Sequence, residues 1–437
     1  MASLLSSNPL RTRIFVCDTC RSSLRLERNA RSAVPRTLTT ASWQSRQYRR
    51  NQPNYLPTLR FSPRPYHEQR TYSSATRPTN SGTTPLPQRR LLSLSGPDAA
   101  KFLQGLITNN VDPQHPSPTP FYSAFLDARG RVLWDVFIWV YPELVAEKGA
   151  WACYIEVDAE EAASLKKHLK RHKLRSKINI EDAEGLMVWA AWGDMCEKMD
   201  NEGVVVSMHD PRGPGLWRGL VKDNMTTLGE RDVVDEVQYR IKRYQLGIPE
   251  GPLEIPRETA LPMEHNIDLS SGIDFKKGCY VGQELTIRTK HTGVVRKRVL
   301  PVTLYTMSST TETSISPEQD VDLSFNADFP ELPPGADIKP LDSAGQPKKG
   351  RACGKFIAGV GNVGLALCRL EIMTPMKISA EGGSWKPGTK FGVSLGTQVE
   401  DGEERGGGDE IAGVRATLHD WFLVKERDLW DKNRTRI

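Results

Sequence analysis

Cys279 is the residue of this 437-residue chain whose neighbours most favour chemistry. Lys276 and Lys277 precede it, and a helix is expected to begin near Gln283 after it. A neighbouring cation and a helix N-terminus both stabilise thiolate over thiol. Gly278 and Gly282 are expected to let the backbone turn tightly and approach a ligand or another segment. Gln283 and Glu284 suit first-turn capping. Glu264 and Asp274 flank this run, and a carboxylate there can accept the paired N–H donors of a pterin or guanine-like ring, or simply solvate a loop. A basic strip follows: Arg288, Lys290, His291, Arg296, Lys297 and Arg298. Strand alternation over 295–299 puts Arg296 and Arg298 on one face and Lys297 on the other. Such a strip is either a solvated face or a landing site for an acidic partner. His265 and His291 are the nearby candidates for a Cys-His dyad, which sequence proximity alone does not establish.

The other cysteines read differently. Cys17-x-x-Cys20 has metal-like spacing but lies in a segment expected to be removed. Cys153 and Cys368, and more weakly Cys196 and Cys353, read as small buried hydrophobes. The five cysteines beyond that segment form no C-x-x-C pair, so no local Cys₄ or Cys₂His₂ site can be built from them.

The elements that must position Cys279 follow from apolar patterning. A strand at 91–94 leads into a helix opened by Pro97 and Asp98. Runs at 121–125 and 132–140 flank Asp127-Ala128-Arg129-Gly130, a hairpin signal. A strand at 151–157 precedes a helix with Ala162, Leu165 and Leu169 on one face and Lys166, Lys167, Lys170 and Arg171 on the other. Strands are expected at 178–180, 187–192 and 204–208, and a helix over 233–246 ending at Gly247. Residues 305–350 turn to Ser, Thr, Pro, Asp and Gly and read as a disordered insert. Strands at 351–370, 377–395 and 412–423 complete an all-β unit, placed at 351–425.

Residues 1–72 hold thirteen Arg, no Lys and three acids, Asp18, Glu27 and Glu68, a net +10. The whole chain carries +6, so the remainder is at −4. Arg-rich, Ser/Thr-rich, acid-poor N-termini have the composition of mitochondrial targeting segments, and cleavage is expected after Tyr72. Residues 73–90 read as a linker. Without the presequence the chain is mildly acidic, which argues against nucleic acid as a partner. No apolar run reaches the ~18 residues of a membrane span.

The run Lys277-Gly278-Cys279-Tyr280-Val281-Gly282-Gln283-Glu284 resembles the K-G-C-[YF]-x-G-Q-E signature of the YgfZ family, relatives of the glycine-cleavage aminomethyltransferases (GcvT). Its continuation through Arg288, His291, Gly293 and Arg296-Lys297-Arg298 resembles the mitochondrial branch, the Iba-type iron–sulfur cluster assembly factors. Residues 247–251, 261–264 and 272–275 fit the same family in order, and the resemblance covers about 91–423. It implies an α+β, GcvT/YgfZ-like fold. Two ferredoxin-like α/β units would occupy 91–304, with a C-terminal β-barrel, around a central opening that binds tetrahydrofolate in relatives. It implies a matrix factor acting late in [4Fe–4S] protein maturation, with A-type (Isca-type) scaffolds as partners. Aconitase-type and radical-SAM apoproteins such as lipoate synthase would be its clients. Glu264 takes the place of the pterin-holding Glu, with Asp274 as a second folate candidate. Arg288, His291, Arg296 and Arg298 would bind a partner or a folate polyglutamate tail. One thiol supplies one of the ~four thiolates a cluster needs, so no stably bound metal is expected. Cys279 then lends a ligand within a complex, is redox-sensed, or is structural. The competing reading is a folate-dependent aminomethyl or one-carbon transferase, although the Cys-Tyr-Val-Gly core departs from the aminomethyltransferase pattern. Whether the protein is an enzyme stays open on the sequence.

Overall fold

Gly82–Pro85 forms strand β1, inside the stretch whose composition suggests a linker. It is an edge strand, paired antiparallel from Gly82 opposite Trp192 to Pro85 opposite Trp189. An edge tolerates Pro85, whose missing N–H would interrupt an inner ladder. Gly82 makes room for the Trp192 indole, which a Cβ would meet at 2.9 Å. The linker expectation is corrected accordingly: 82–85 and 89–90 belong to the folded unit. The computed structural model describes residues 78–114, 118–200, 203–224, 233–307, 325–327, 329–378, 383–394 and 411–434. The expected presequence 1–72, and 308–324 of the expected insert, lie outside the described residues.

Two antiparallel sheets form the α+β part. The first runs β3-β4-β5-β2-β6. Its strands are β2 (Arg89–Ser95), β3 (Phe121–Leu126), β4 (Val132–Trp139), β5 (Ala152–Asp158) and β6 (Asn179–Asp182). Trp134, Val136 and Ile138 of β4 pack with Leu103 of helix α1 (Ala99–Gln104) and with Leu165 and Leu169 of α3 (Ala162–Lys173). Phe137 and Trp139 enter a second core on the other face. Burial on both faces explains why 132–140 reads as a nearly unbroken apolar run, and period-2 alternation puts its one acid, Asp135, on the Phe137–Trp139 face. A short helix, α2 (Pro142–Lys148), links β4 to β5.

The second sheet runs β1-β7-β9-β8, with β7 at Leu186–Trp192, β8 at Val204–His209 and β9 at Leu216–Lys222. Helix α4 (Glu236–Leu246) follows, capped by Asp235, whose side chain accepts from the Val237 N–H at 3.0 Å, and stopped by Gly247 at φ +75°. Its Ile241 and Tyr244 pack on Val299, Val363 and Leu365.

Those three residues belong to a closed antiparallel barrel, β10-β13-β12-β11-β14-β15. The strands are β10 (Lys297–Thr306), β11 (Asp337–Pro340), β12 (Gly354–Val360), β13 (Val363–Arg369), β14 (Phe391–Ser394) and β15 (Ile411–Ala416). β10 closes the ring by pairing with both β13 and β15, and one turn of helix, α6 (Leu370–Met373), follows β13. Four expectations are corrected here. The barrel starts at Lys297, not at 351, so 297–304 leave the α/β region. Asp337–Pro340, placed in the insert, is a barrel strand. The 412–423 strand stops at Ala416, and helix α7 (Asp420–Arg434) follows. Trp421, Phe422, Leu429 and Trp430 recur there at helical spacing and pack on the barrel core. Among the described residues of the 377–395 run, Phe391–Ser394 alone is a strand, and Gly383, Pro387 and Gly388 interrupt what precedes it.

Candidate functional site

The signature run is a turn followed by helix α5 (Gln283–Thr292). Gly282 sits at φ +80°, and a Cβ there would lie 2.3 Å from the Asp127 carbonyl oxygen. Gly130, at the β3–β4 turn, has φ +80°, and a Cβ there would meet Leu285 and the Gly282 carbonyl oxygen at 2.9 Å. Two glycines therefore let the hairpin turn and the signature turn touch. Gly278 differs from expectation: its φ lies outside the left-handed region, and a Cβ added there would meet nothing within 4 Å. Lys277 also turns out otherwise. Its Nζ donates to the Gln104, Ile107 and Asn109 carbonyls at 2.8, 2.7 and 2.7 Å, tying the loop to the end of α1, and burial pulls its pKa down to about 7. It is a strut. Tyr280 is buried under the same loop, and its N–H donates to Gln283 Oε1 at 3.3 Å, the first-turn role expected of Gln283.

Cys279 is exposed. Of the other described cysteines, Cys153, Cys353 and Cys368 are buried and Cys196 is half-buried. Exposure removes the packing role from Cys279. Glu284, Arg288 and His291 lie on α5 at i, i+4 and i+7, one exposed stripe of the helix, and Arg296 is exposed just beyond it. The opposite side is fixed. Thr286 is buried, and Lys290 donates to the Leu429 carbonyl of α7 with its Nζ 4.4 Å from the Trp430 ring centre.

Arg298 is corrected from surface cation to core anchor. It is fully buried, grips Asp268 bidentately at 2.8 and 2.8 Å, and donates to the Met263 carbonyl at 2.7 Å. Trp430 Nε1 donates to the same Asp268 at 3.0 Å. Alternation separates Arg298 from Lys297, but the expected shared face of Arg296 and Arg298 is corrected: β10 begins at Lys297, so Arg296 stays exposed outside the ladder while Arg298 faces inward. A guanidinium is buried only with partners, and Asp268 supplies them. His265 is buried too, with Nδ1 3.1 Å from the Leu261 carbonyl oxygen, and burial lowers its proton affinity. Among the described residues no three His, Cys, Asp or Glu side chains gather as a metal site, and no helix is long and apolar enough to cross a membrane.

The residues for a pterin fit unevenly. Asp274 spends Oδ1 on the Lys276 N–H at 2.7 Å. Glu264 is 20 % exposed, with Oε1 3.3 Å from Lys297 Nζ, so one oxygen remains for a ligand. A second set of polar groups lies outside the signature, in a buried cluster. Between the two sheets, Arg89 and Arg218 hold Glu156, and Arg212 and Arg218 hold Glu250, all buried. Burial alone would raise Glu250, but Arg218 and Arg212 overcome it and hold it well below the usual carboxylate range. Asp135 joins this cluster, accepting from the Gly251 N–H at 3.1 Å. Burial pushes its carboxyl up, against the pull of Arg89. Its Oδ2 and both terminal nitrogens of Arg89 are buried with no partner. Orphaned buried atoms mark room for a water or for a ligand's polar edge. The signal was present in the sequence: an acid inside an apolar strand costs several kcal/mol unless something meets it.

Comparison with known proteins adds three findings. A family model described as the CAF17 C-terminal beta-barrel domain matches residues 296–389, where the barrel begins. The chain is 50% identical over 368 residues to the mitochondrial iron-sulfur cluster assembly factor IBA57 homolog of Phaeosphaeria nodorum, covering 83% of this chain and 85% of that one. The Neurospora crassa homolog is 43% identical over 377 residues, covering 80% and 82%. Among solved structures, the glycine cleavage system aminomethyltransferase T of Bartonella henselae shares the fold, with TM-score 0.53 at 12% identity over 78% of this chain and 86% of that one.

Proposed function

This chain belongs to the family of mitochondrial IBA57 iron–sulfur cluster assembly factors, and from that membership we propose how its exposed thiol takes part. The protein is a mitochondrial iron–sulfur cluster assembly factor. The cluster is its cargo. Cys279 lends one thiolate to a cluster shared with an A-type scaffold protein, because a single exposed thiol cannot complete the ~four ligands alone. The observation that carries this reading is the exposure of Cys279 beside the Glu284–Arg288–His291 stripe, which offers a partner both charge signs. Clients are [4Fe–4S] apoproteins of the aconitase and radical-SAM kinds. Cys279→Ser removes soft ligation at nearly constant volume, and Cys279→Ala removes the thiol without adding a polar group. Both are expected to lower aconitase activity and lipoylation in cells while the melting temperature stays unchanged. Full client activity with Ala sinks the thiol role.

Tetrahydrofolate is the second part of the proposal. The unpartnered Asp135 Oδ2 supports it as an acceptor for a ring N–H, Arg89 as a donor to a ring carbonyl, and Glu264 as a further acceptor. Asp135→Asn and Glu264→Gln are each expected to weaken tetrahydrofolate by roughly 1–3 kcal/mol in calorimetry. No binding heat with the unmodified protein rejects this part and leaves the thiol role standing.

A further inference from the structure

Helix α3 ends at a feature that neither the thiol nor the polar centre uses. Leu174, at its C-cap, is 88 % exposed with φ +43° and ψ −113°. A leucine in that backbone region is strained, and glycine is the residue that adopts it without cost. Cations ring it: Lys170, Arg171, Arg175 and Lys177 are exposed, as is Lys101 on the neighbouring α1. The start of α3 is different, since Lys166 is paired with Asp182 at 2.6 Å and Glu161 with Arg257 at 3.2 Å. Asp98 is the acid at the basic end, and it accepts from the Lys177 backbone N–H at 2.6 Å. A cleft of about 670 Å³ opens beside the turn, lined by Asp98, Lys101, Phe102, Leu174, Arg175 and Ser176. All this sits on a chain whose residues beyond 72 sum to −4.

We propose that the 170–177 turn docks the protein on an anionic phospholipid surface, with Leu174 entering the headgroup layer and the surrounding cations meeting lipid phosphates. One apolar tip is too little to form the apolar centre of a protein interface. It suits a membrane, where a small insertion and several cations act together. The buried face of α3, Leu165 and Leu169, stays on the sheet throughout, so docking needs no unfolding. The attachment is weak and reversible, because single insertions and screened charges are. It would hold a cluster carrier at a surface without a spanning helix.

The test is flotation of the imported, processed protein with vesicles of 30 mol% phosphatidylglycerol in phosphatidylcholine, and with phosphatidylcholine alone. Processed protein is required because the basic segment 1–72 would bind the same vesicles. Association with the anionic vesicles only, weakening as salt rises, is the expected result. Each of Lys170→Ala, Arg171→Ala and Arg175→Ala should lower the partition about five-fold. Leu174→Gly should weaken binding while the melting temperature holds or rises, since it relieves the strained backbone. That result separates loss of docking from loss of folding. Three outcomes overturn the proposal. They are no association of the unmodified protein, equal association with neutral vesicles, and unchanged association of all four variants. If vesicles are ignored but the variants lose client maturation, the turn docks an acidic protein instead, and the lipid assignment is wrong.

Discussion

At the scale of single residues, the two glycines flanking Cys279 have separable jobs. Gly282→Ala forces a Cβ to within 2.3 Å of the Asp127 carbonyl at φ +80°, so it should cost about 1–3 kcal/mol, read as a lowered melting temperature. Gly278→Ala meets open space and should change stability by no more than about 0.5 kcal/mol. If Gly278→Ala nevertheless lowers client maturation, the residue keeps a partner's approach clear. Equal destabilisation by both changes would contradict these separate roles. The difference between Cys279 and the other cysteines was legible from the residues before it, Lys276, Lys277 and Gly278, whereas Cys153 and Cys368 sit in apolar strands. The role of Arg298 was not. Its partner Asp268 lies thirty residues away, and alternation, which holds only from Lys297 where β10 begins, grouped Arg298 with the exposed Arg296 and did not tell which face is inside.

Among the elements, α5 carries the exposed stripe and α7 holds it in place. Lys290 joins α5 to the Leu429 carbonyl, while Trp430 closes over Lys290 and donates to Asp268. Trp430→Phe keeps most of the packing and removes one donor from a buried carboxylate. It should cost about 1–3 kcal/mol and lower client maturation as α5 loosens. Unchanged stability would mean that Asp268 needs only Arg298. The hairpin of β3 and β4 and the Gly247 end of α4 could be read from local signals, whereas the start of α4, expected at 233, lies at Glu236 after the Asp235 cap. Strands β1 and β11 could not: each has four residues and is fixed by its neighbours, Trp189–Trp192 for β1 and Phe391–Gly392 for β11. Helix α7 was hidden by its apolar start, which a short window cannot distinguish from a strand.

Across the whole molecule, the two sheets meet over the Arg89–Glu156–Arg218–Glu250–Arg212 cluster. Arg218→Met leaves Glu156 and Glu250 under-compensated and should cost about 3–5 kcal/mol at neutral pH. Glu156, Glu250 and Asp210 are held below their ordinary range, the arginines outweighing burial. Each therefore adds stability that is present above its unfolded value of about 4 and is lost as pH falls through its lower folded value. Chemical denaturation at stepped pH should show stability dropping below about pH 4, with Arg218→Met flattening that drop; an unchanged profile would contradict the assignment. Most of these partners lie far apart in sequence, so the notice of the cluster came from Asp135 and Glu156, acids set inside apolar strands. The central claim remains that this assembly factor offers one thiol to a shared cluster. Its most direct measurement is anaerobic reconstitution with an A-type scaffold, reading bound iron and sulfide together with the rate of Cys279 alkylation. The expected result is no stable cluster on this protein alone, a cluster in the mixed complex, and slowed alkylation of Cys279 there but not in apo-complex. A cluster held by this protein alone, or a cluster-loaded complex in which Cys279 alkylates at its original rate, would contradict it.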